Sequence, residues 1–571
     1  MLEWLKRKSP QAAPKVSAAP DPDTIIAAAD VARERGERAE AIRLYTSAHD
    51  AAPQRVYPLY WLATLLEEAG DPAQAFKFGE RGLALDPDQI ALLARMGNIA
   101  SERHDPMAAL EFYQRVARLD CDYPDIDALL ADQLCVLGHL REGIAAFDRA
   151  LIRTPASLQL QQARLFCLNF SDQLSPTALA EEHRAWGRNH SPERPAPAIG
   201  TAKAGGGKSR LHIGYVSPDL RNHAVAYFVA PLLERHDRTL FEISVFDTSA
   251  DAEDAMTARM RAHVDTWERV DTLADEALAA TIRAAGVDIL VDLSGHTKGN
   301  RLLVFAERAA PVQVSWLGYL ATTGLPAMDY RLTDAEMDPP GMTEALHTEQ
   351  LLLLPVQACF SPWPDAPAVS PSPLAGGARL TFGSVNQWAK VTEATRDLWA
   401  SILVACPEAR LCVIARGGQN PQLQRSIAAD FERRGASAGQ VTVFPFGSTT
   451  DFLRFLGQVD VALDPFPYGG GTTTMQCLWM GVPVVTLAGA TPMSRNAIGP
   501  LVRAGLADLV AASRAAYREK AIALGRNAAL LSRLRRELRP RMAASASMDA
   551  RAFARGIEEA YRTMWGRLPK A

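Results

Sequence analysis

The stretch VDVALDPFPYGGGTTTMQCLWMGVPVVTLAG occupies residues 459–489 and decides the fold. Its opening apolar run, 459–466, is typical of a buried strand. Three glycines and three threonines follow, and then a helix that we expect to begin near Thr473. A second apolar run at 483–489 completes the unit. A strand, a tight turn, a helix and another strand in so short a segment indicate a parallel sheet covered by helices.

The same alternation extends from residue 211 towards the C-terminus. A Pro-rich connector at 361–377 separates two such series, which predicts two Rossmann-like domains facing each other across a cleft. In sheets of this kind ligands bind beyond the carboxyl ends of the strands, so residues that follow a strand are candidates for function. The other expected strands are 211–217, 241–248, 287–295, 312–318, 380–386, 410–417 and 441–447.

The glycine and threonine turn at 469–474 leaves two interpretations open. Glycines let backbone N–H groups converge, and the first turn of a helix offers free donors with a positive dipole end, so a diphosphate would fit. Glycine and threonine are also favoured where any helix is capped. The local residues do not decide between these two.

Other candidate residues follow other strands. Gln387 and Lys390 end the segment FGSVNQWAK, where a lysine can neutralise a leaving phosphate; a solvated loop lysine is the alternative. His223 follows the strand at 211–217, and His296 follows the strand at 287–293. Imidazole suits proton transfer near neutral pH, although a single histidine more often has a structural role.

Composition excludes several classes of function. A formal net charge of −4 gives no basic face for nucleic acid. Seven scattered cysteines without a CxxC pair predict buried thiols in a reducing, cytoplasmic setting. We find no secretory signal and no apolar run long enough for a membrane span. No carboxylate cluster falls at a sheet edge, so we expect no metal site.

A 34-residue period marks the first third of the chain. Positions 36, 70, 104 and 138 carry Gly, Gly, His and Gly, and small residues recur seven before and five after each. Small side chains let antiparallel helices approach closely, and the pattern resembles the tetratricopeptide repeat. A generic Ala-rich bundle is the alternative. We expect a superhelix over 23–189 with a groove that receives a protein or peptide.

Domain boundaries follow from these patterns. We expect a flexible tail at 1–22, a linker at 190–210, catalytic halves at 211–375 and 376–545, and a C-terminal helix at 546–571. The GGGKS that ends the linker lacks the first glycine and the preceding strand of a P-loop, so we reject that interpretation.

Several long segments together resemble the O-linked N-acetylglucosamine transferase family, including its SPINDLY-type members. They are GYVSPDLRNH, DLSGHTKGNR, PVQVSWLGYLATTGLPAMDY, NQWAK, DPFPYGGGTTT and LWMGVPVVTL. The resemblance implies a tetratricopeptide superhelix joined to a metal-independent, inverting GT-B glycosyltransferase. This enzyme would move N-acetylglucosamine from UDP-GlcNAc to Ser or Thr hydroxyls of proteins. It implies no cofactor beyond the donor.

The resemblance also implies roles for single residues. His223 matches the proposed catalytic base, and Lys390 would act on the leaving diphosphate. The residues expected to bind the nucleotide sugar are Gln387, Lys390, Gly447, Ser448, Thr449, Phe452, Gly471, Thr472, Thr473 and Gln476. Those expected around the sugar and acceptor are His296, Thr297, Leu317, Gly318 and Tyr468.

Three departures bear on the donor. Gln476 stands where relatives often carry an aspartate for the ribose, Gly471 replaces a histidine, and Phe452 replaces a polar or basic residue. Two rival functions remain: the same fold using GDP-fucose or UDP-glucose, and a repeat scaffold whose transferase half is inactive.

Overall fold

The computed structural model describes residues 21–192, 210–363 and 366–568. Nearly all of the expected tail, and most of the expected linker, lie outside the described residues. The chain forms two compact units. The first contains the described residues up to Pro155 and the segment Arg416–Gln424, and the second contains Ala156–Ala415 and the residues from Arg425 onward.

The first unit is the helical-repeat array, whose described residues from 21 to Pro155 form eight helices packed in consecutive pairs. Positive φ angles fall at Gly36, Gly70, His104 and Gly138, so the 34-residue period marks the turn inside each pair. His104 adopts the left-handed conformation at 57°, where the other repeats use glycine. The helices are α1 (Pro22–Glu34), α2 (Arg38–Ala51), α3 (Val56–Glu68), α4 (Pro72–Leu85), α5 (Ile90–Glu102), α6 (Pro106–Leu119), α7 (Ile126–Val136) and α8 (Leu140–Arg153).

Capping and close packing explain the pairs. Asp71 and Asp105 each cap a helix whose first residue is proline, and their carboxylates accept from the backbone N–H three residues on. Gly97 lies against the ring of Tyr113, where an added Cβ would come within 2.3 Å of the ring. The small residues of the repeat are therefore required by the distance between paired helices.

Two further helices, α9 (Leu158–Leu168) and α10 (Pro176–Asn189), belong to the second unit. The division falls after Pro155, earlier than the expected end of the superhelix at 189. Close contact with the first sheet's loops explains this placement: a Cβ on Gly187 would lie 1.9 Å from the Gly324 carbonyl oxygen.

The first sheet of the second unit has seven parallel strands in the order β3-β2-β1-β4-β5-β6-β7. The strands are β1 (Leu211–Ser217), β2 (Phe241–Asp247), β3 (Thr266–Arg269), β4 (Ile289–Asp292), β5 (Val312–Ser315), β6 (Tyr330–Asp334) and β7 (Gln350–Leu354). The helices between them are α11 (Ala226–Leu233), α12 (Ala255–Arg261), α13 (Asp275–Ala285) and α14 (Leu302–Ala306). Four of these strands match the sequence expectation.

The second sheet has six parallel strands in the order β10-β9-β8-β11-β12-β13. The strands are β8 (Thr381–Ser384), β9 (Arg410–Ala415), β10 (Val441–Pro445), β11 (Val461–Leu463), β12 (Val484–Leu487) and β13 (Val510–Ala511). The helices are α15 (Glu393–Ala405), α16 (Pro421–Arg433), α17 (Thr449–Leu456), α18 (Thr472–Trp479), α19 (Ile498–Arg503), α20 (Arg514–Gly525) and α21 (Ala528–Ala543). The two tandem sheets confirm the expected GT-B architecture.

The last helix, α22 (Ala550–Gly566), returns to the first sheet. Its Ile557 and Tyr561 are fully buried in the core of that sheet, and the Tyr561 hydroxyl lies 2.9 Å from the Tyr215 hydroxyl. The helix that follows the second sheet in sequence therefore packs in the core of the first sheet. Within the described ranges, no helix is both long and apolar enough to cross a membrane.

Candidate active site

A buried carboxylate holds the glycine turn that follows β11. Asp464 is 1% exposed, and its oxygens accept from the Gly470 N–H at 2.7 Å and the Thr486 hydroxyl at 2.7 Å. A Cβ on Gly469 would lie 2.7 Å from the same carboxylate. The turn therefore needs glycine because its backbone wraps closely around Asp464.

The start of α18 joins this network through an amide. The Asn386 Nδ2 donates to Asp464 at 3.3 Å, and its Oδ1 accepts from the Thr473 hydroxyl at 3.0 Å. Thr472 is the first residue of the helix, so its backbone N–H and that of Thr473 belong to the turn that lacks intrahelical acceptors. The expected placement of Thr472 and Thr473 at a helix N-terminus is what the structure shows.

Lys390 ends a short 3₁₀ helix, Trp388–Lys390, that follows β8. Its ammonium is 4.0 Å from the centroid of the Tyr468 ring and 6.0 Å from that of the Phe170 ring. The two rings meet edge to face, with centroids 5.1 Å apart. The side chain is half-buried, so the aromatic faces are a large part of its surroundings.

Electrostatics couple Lys390 to Asp464. Burial lowers the pKa of Lys390 to about 8, and the Asp464 carboxylate partly opposes that shift. Burial likewise raises the pKa of Asp464 to about 6, against the hydrogen bonds from Thr486 and Gly470 and the charge of Lys390. At pH 7 the lysine is mostly a cation and the aspartate mostly an anion. The site therefore presents a positive charge beside a helix N-terminus.

The first sheet contributes the loop after β5. Leu317 has a positive φ of 77°, and a Cβ on Gly318 would lie 1.9 Å from the Leu293 carbonyl oxygen. A Cβ on Gly295 would lie 2.2 Å from the Tyr319 Cβ. The loops after β4 and β5 are thus packed backbone to backbone, which brings Thr297, Leu317 and Gly318 to one edge of the sheet.

His296 is buried at the same edge. Its Nε2 lies 2.8 Å from the Thr323 carbonyl oxygen, and its ring contacts Trp186 of α10. Burial holds the pKa of His296 well below its ordinary value, and the charge of His183 adds to the shift. The imidazole is therefore neutral at pH 7, and no hydrogen bond to its Nδ1 is found among the described residues.

His223 lies in the loop after β1 and keeps access to solvent. Its side chain is 41% exposed, and its Nδ1 lies 3.5 Å from the Asp219 carboxylate. Burial lowers the pKa of His223, and Asp219 opposes the shift. The Val225 backbone N–H donates to the same Nδ1 at 3.4 Å, so the ring is held by Val225 and Asp219 together while it stays open to solvent. A held, accessible imidazole is suited to proton transfer.

The residues expected near the base of the nucleotide form a separate group. Ser448 caps α17 and exchanges hydrogen bonds with Asp451, and the Phe452 ring meets that of Trp363 at 6.2 Å. Gly447 and Ser448 are exposed, and Thr449 and Phe452 are partly exposed. Among the described residues, no hydrogen bond or ring contact joins this group or His223 to Lys390.

The remaining expected residues flank the turn. Gln387 is exposed, and Gln476 is buried in the second turn of α18. A Cβ on Gly471 would lie 2.5 Å from the Asn496 side chain, so a larger residue there would displace Asn496. Within the described residues, no group of three His, Cys, Asp or Glu side chains is arranged to hold a metal ion.

Three residues of the site were not predicted. Asp464 and Asn386 stand inside the motifs quoted above, and a buried polar residue at a strand end was the available signal. Phe170 lies in the helical segment before the linker, more than 200 residues from Lys390 in sequence, and no local pattern connects the two. Only the fold shows that they meet.

Comparison with known proteins agrees with this geometry. The sequence profile described as glycosyl transferase family 41 matches residues 197–360 and 376–557. One relative is a protein of Oryza sativa subsp. japonica named probable UDP-N-acetylglucosamine–peptide N-acetylglucosaminyltransferase SPINDLY. This chain is 36% identical to it, over 74% of this chain and 46% of the relative. Its Arabidopsis thaliana namesake is also 36% identical, over 73% of this chain and 46% of the relative. The chain therefore spans about half the length of these curated relatives.

A solved structure is similar over a larger share of both chains than these curated relatives are. A Thermobaculum terrenum O-GlcNAc transferase mutant is 34% identical, with a TM-score of 0.79 over 89% of this chain and 97% of the other. The similarity covers both sheets and the helices before them. The chain belongs to glycosyl transferase family 41.

Proposed function

We propose that this chain is a protein O-GlcNAc transferase, which moves N-acetylglucosamine from UDP-GlcNAc to Ser or Thr hydroxyls of proteins. The observation that carries the proposal is the Lys390 ammonium beside the N-terminus of α18, at the carboxyl edge of the second sheet. A cation and free backbone N–H groups together suit a diphosphate. The names of the family relatives supply the sugar and the acceptor class.

The proposed reaction inverts the anomeric carbon. A peptide hydroxyl attacks the face opposite the UDP, while Lys390 and the first turn of α18 stabilise the charge that develops on the leaving diphosphate. His223, oriented by Asp219, accepts the hydroxyl proton. Lys390 provides the charge that a metal ion supplies in other transferases, so we propose that transfer proceeds without one.

The acceptor is proposed to bind through the helical-repeat unit. Arrays of this kind present extended surfaces to peptides, because each repeat contacts only its neighbours. The seven cysteines are all free thiols, which supports a cytoplasmic location.

A transfer assay in EDTA tests the proposal. The protein is incubated with a Ser/Thr-rich peptide and, in parallel, UDP-GlcNAc, UDP-glucose or GDP-fucose, and the products are weighed by mass spectrometry. We expect a mass increase of one N-acetylhexosamine with UDP-GlcNAc, and β-linked product from the α-linked donor by NMR. Transfer of fucose or glucose alone would replace the proposed donor, and no transfer from any of them would favour the scaffold alternative.

A further inference from the structure

The ammonium of Lys390 has aromatic neighbours. Within the described residues it makes no hydrogen bond to a protein acceptor, and it lies over the faces of Tyr468, 4.0 Å from the centroid, and Phe170, 6.0 Å from the centroid. Asp464 acts on it through charge, not through a hydrogen bond. An ammonium with few acceptors depends on cation–π attraction to stay charged and in place.

We propose that Phe170 is a positioning residue of the transfer site, and that it holds Tyr468 and Lys390 in register for the diphosphate. This inference rests on the proposed function, since it concerns the lysine that binds the leaving group. It assigns a role in the chemistry to the helix pair α9–α10, which precedes both catalytic sheets in the sequence.

The geometry of the rings supports this role. Phe170 is 3% exposed and meets Tyr468 edge to face at 69°, which turns the Tyr468 face towards the ammonium. Edge-to-face contact fixes ring orientation better than aliphatic packing does. Without the Phe170 ring, Tyr468 would lose the neighbour that sets its angle.

The position of Phe170 is itself fixed by a buried polar network. The adjacent Asn169 donates to the Tyr319 hydroxyl at 2.6 Å, and that hydroxyl lies 2.7 Å from the His183 Nε2 of α10. The His183 Nδ1 lies 2.8 Å from the Leu179 carbonyl, so it carries the proton and Nε2 accepts from Tyr319. These bonds anchor the end of α9 to the loop that contains Leu317 and Gly318.

The titratable and charged groups around Lys390 come from three segments. Asp464 follows β11, Tyr468 directly precedes the glycine turn, and Arg331 of β6 acts electrostatically on Tyr468 from the first sheet. Asp464 favours the charged lysine, as the aromatic faces do, while burial opposes it. A leucine at position 170 keeps the burial and removes one aromatic face, so it should lower the pKa of Lys390.

The test measures the protonation of Lys390 without donor or acceptor. The protein is labelled with an amine-reactive reagent across a pH series, and modification of the Lys390 peptide is quantified by mass spectrometry. The variants are Phe170→Leu and Phe170→Tyr, and Phe431→Leu, at a buried phenylalanine of α16, is the matched control. Phe166 is unsuitable as a control because its ring meets that of Phe170 edge to face at 4.9 Å. Phe170→Met is a second apolar variant in case the leucine protein does not fold.

We expect midpoints near pH 8 for the wild type, Phe170→Tyr and Phe431→Leu, and a midpoint lower by about 0.5–1 unit for Phe170→Leu or Phe170→Met. Under turnover, the leucine variant should lose roughly 3- to 30-fold in kcat with little change in the KM for the donor. A labelling curve for Phe170→Leu that superimposes on the wild type would overturn the role of Phe170. Absence of transfer by the wild type would instead refute the proposed function and leave the labelling result to stand.

Discussion

The Lys390 ammonium lies 4.0 Å from the centroid of the Tyr468 ring, at the point where the loops after two neighbouring parallel strands meet. Lys390 follows β8 and Tyr468 follows β11. The Asp464 carboxylate acts on Lys390 through charge and accepts a hydrogen bond from the Gly470 N–H. A cation, a glycine turn and a helix N-terminus thus meet in a small space.

The rate should depend on pH through Lys390, Asp464 and the proposed base His223. Lys390 must be protonated to stabilise the leaving diphosphate, so kcat/KM should fall as pH rises through about 8. Both oxygens of Asp464 accept hydrogen bonds, so its protonation removes one acceptor, and protonated His223 cannot take a proton; kcat/KM should therefore also fall as pH drops through about 6. Bound diphosphate favours the charged lysine, so the alkaline limb of kcat should lie at higher pH than that of kcat/KM. A flat profile from pH 5 to 9 would contradict these assignments.

Asp464→Asn should weaken the turn and remove the anion that supports Lys390. We expect a loss of roughly 10- to 100-fold in kcat/KM, because charge-assisted hydrogen bonds to Gly470 and Thr486 are replaced by neutral ones. The alkaline limb should also move to lower pH. Steady-state kinetics across pH measure both effects, and Asp508→Asn on the surface is the control. An unchanged limb would show that Asp464 does not act on the lysine.

Gly318→Ala should damage the loop after β5. The added Cβ would lie 1.9 Å from the Leu293 carbonyl oxygen, so the loop has to shift away from the β4 loop, at a cost of about 1–3 kcal/mol. We expect lower stability in urea and a large loss of transfer. Gly376→Ala is the matched control, since an added Cβ there meets no atom within 4 Å. Equal behaviour of the two variants would argue against close packing of this loop.

Arg503→Ala should destabilise the pairing of the two sheets. Arg503 of α19 lies 2.5 Å from Asp334 of β6 and 3.2 Å from Glu336. Asp334 is almost fully buried, so removing its partner leaves an uncompensated charge and should cost about 3 kcal/mol. Chemical denaturation measures this cost. Arg503→Ala combined with Asp334→Asn should recover part of it, and no recovery would mean that the pair is not the cause.

Sequence patterns predicted the parts of this fold whose signal is local. Apolar runs gave β1, β2, β4 and β5 and the strands of the second sheet up to β12, because the side chains of all but the edge strand β10 are buried on both faces. β6 was missed because Arg331, Thr333 and Asp334 interrupt its apolar pattern, and all three are buried through polar contacts.

In the candidate site, too, only the features with a local sequence signal were predicted. The glycine and threonine turn was found from its residues, whereas its dependence on Asp464 needed the positions of side chains. Phe170 could not have been found, because it lies in the turn just after α9 and contacts Tyr468 only after the chain has folded. The placement of α9 and α10 in the second unit has the same origin.

The most direct test of the account is a calorimetric titration of UDP into the wild type and Lys390→Ala in buffer with EDTA. Lys520→Ala, in the same half of the chain, controls for loss of a charge. We predict that the wild type and Lys520→Ala bind UDP with micromolar affinity, and that Lys390→Ala binds roughly 10- to 100-fold more weakly because a charge-assisted contact to phosphate is lost. No binding by the wild type in EDTA, or equal binding by Lys390→Ala, would contradict the claim that Lys390 and α18 hold the diphosphate without a metal ion.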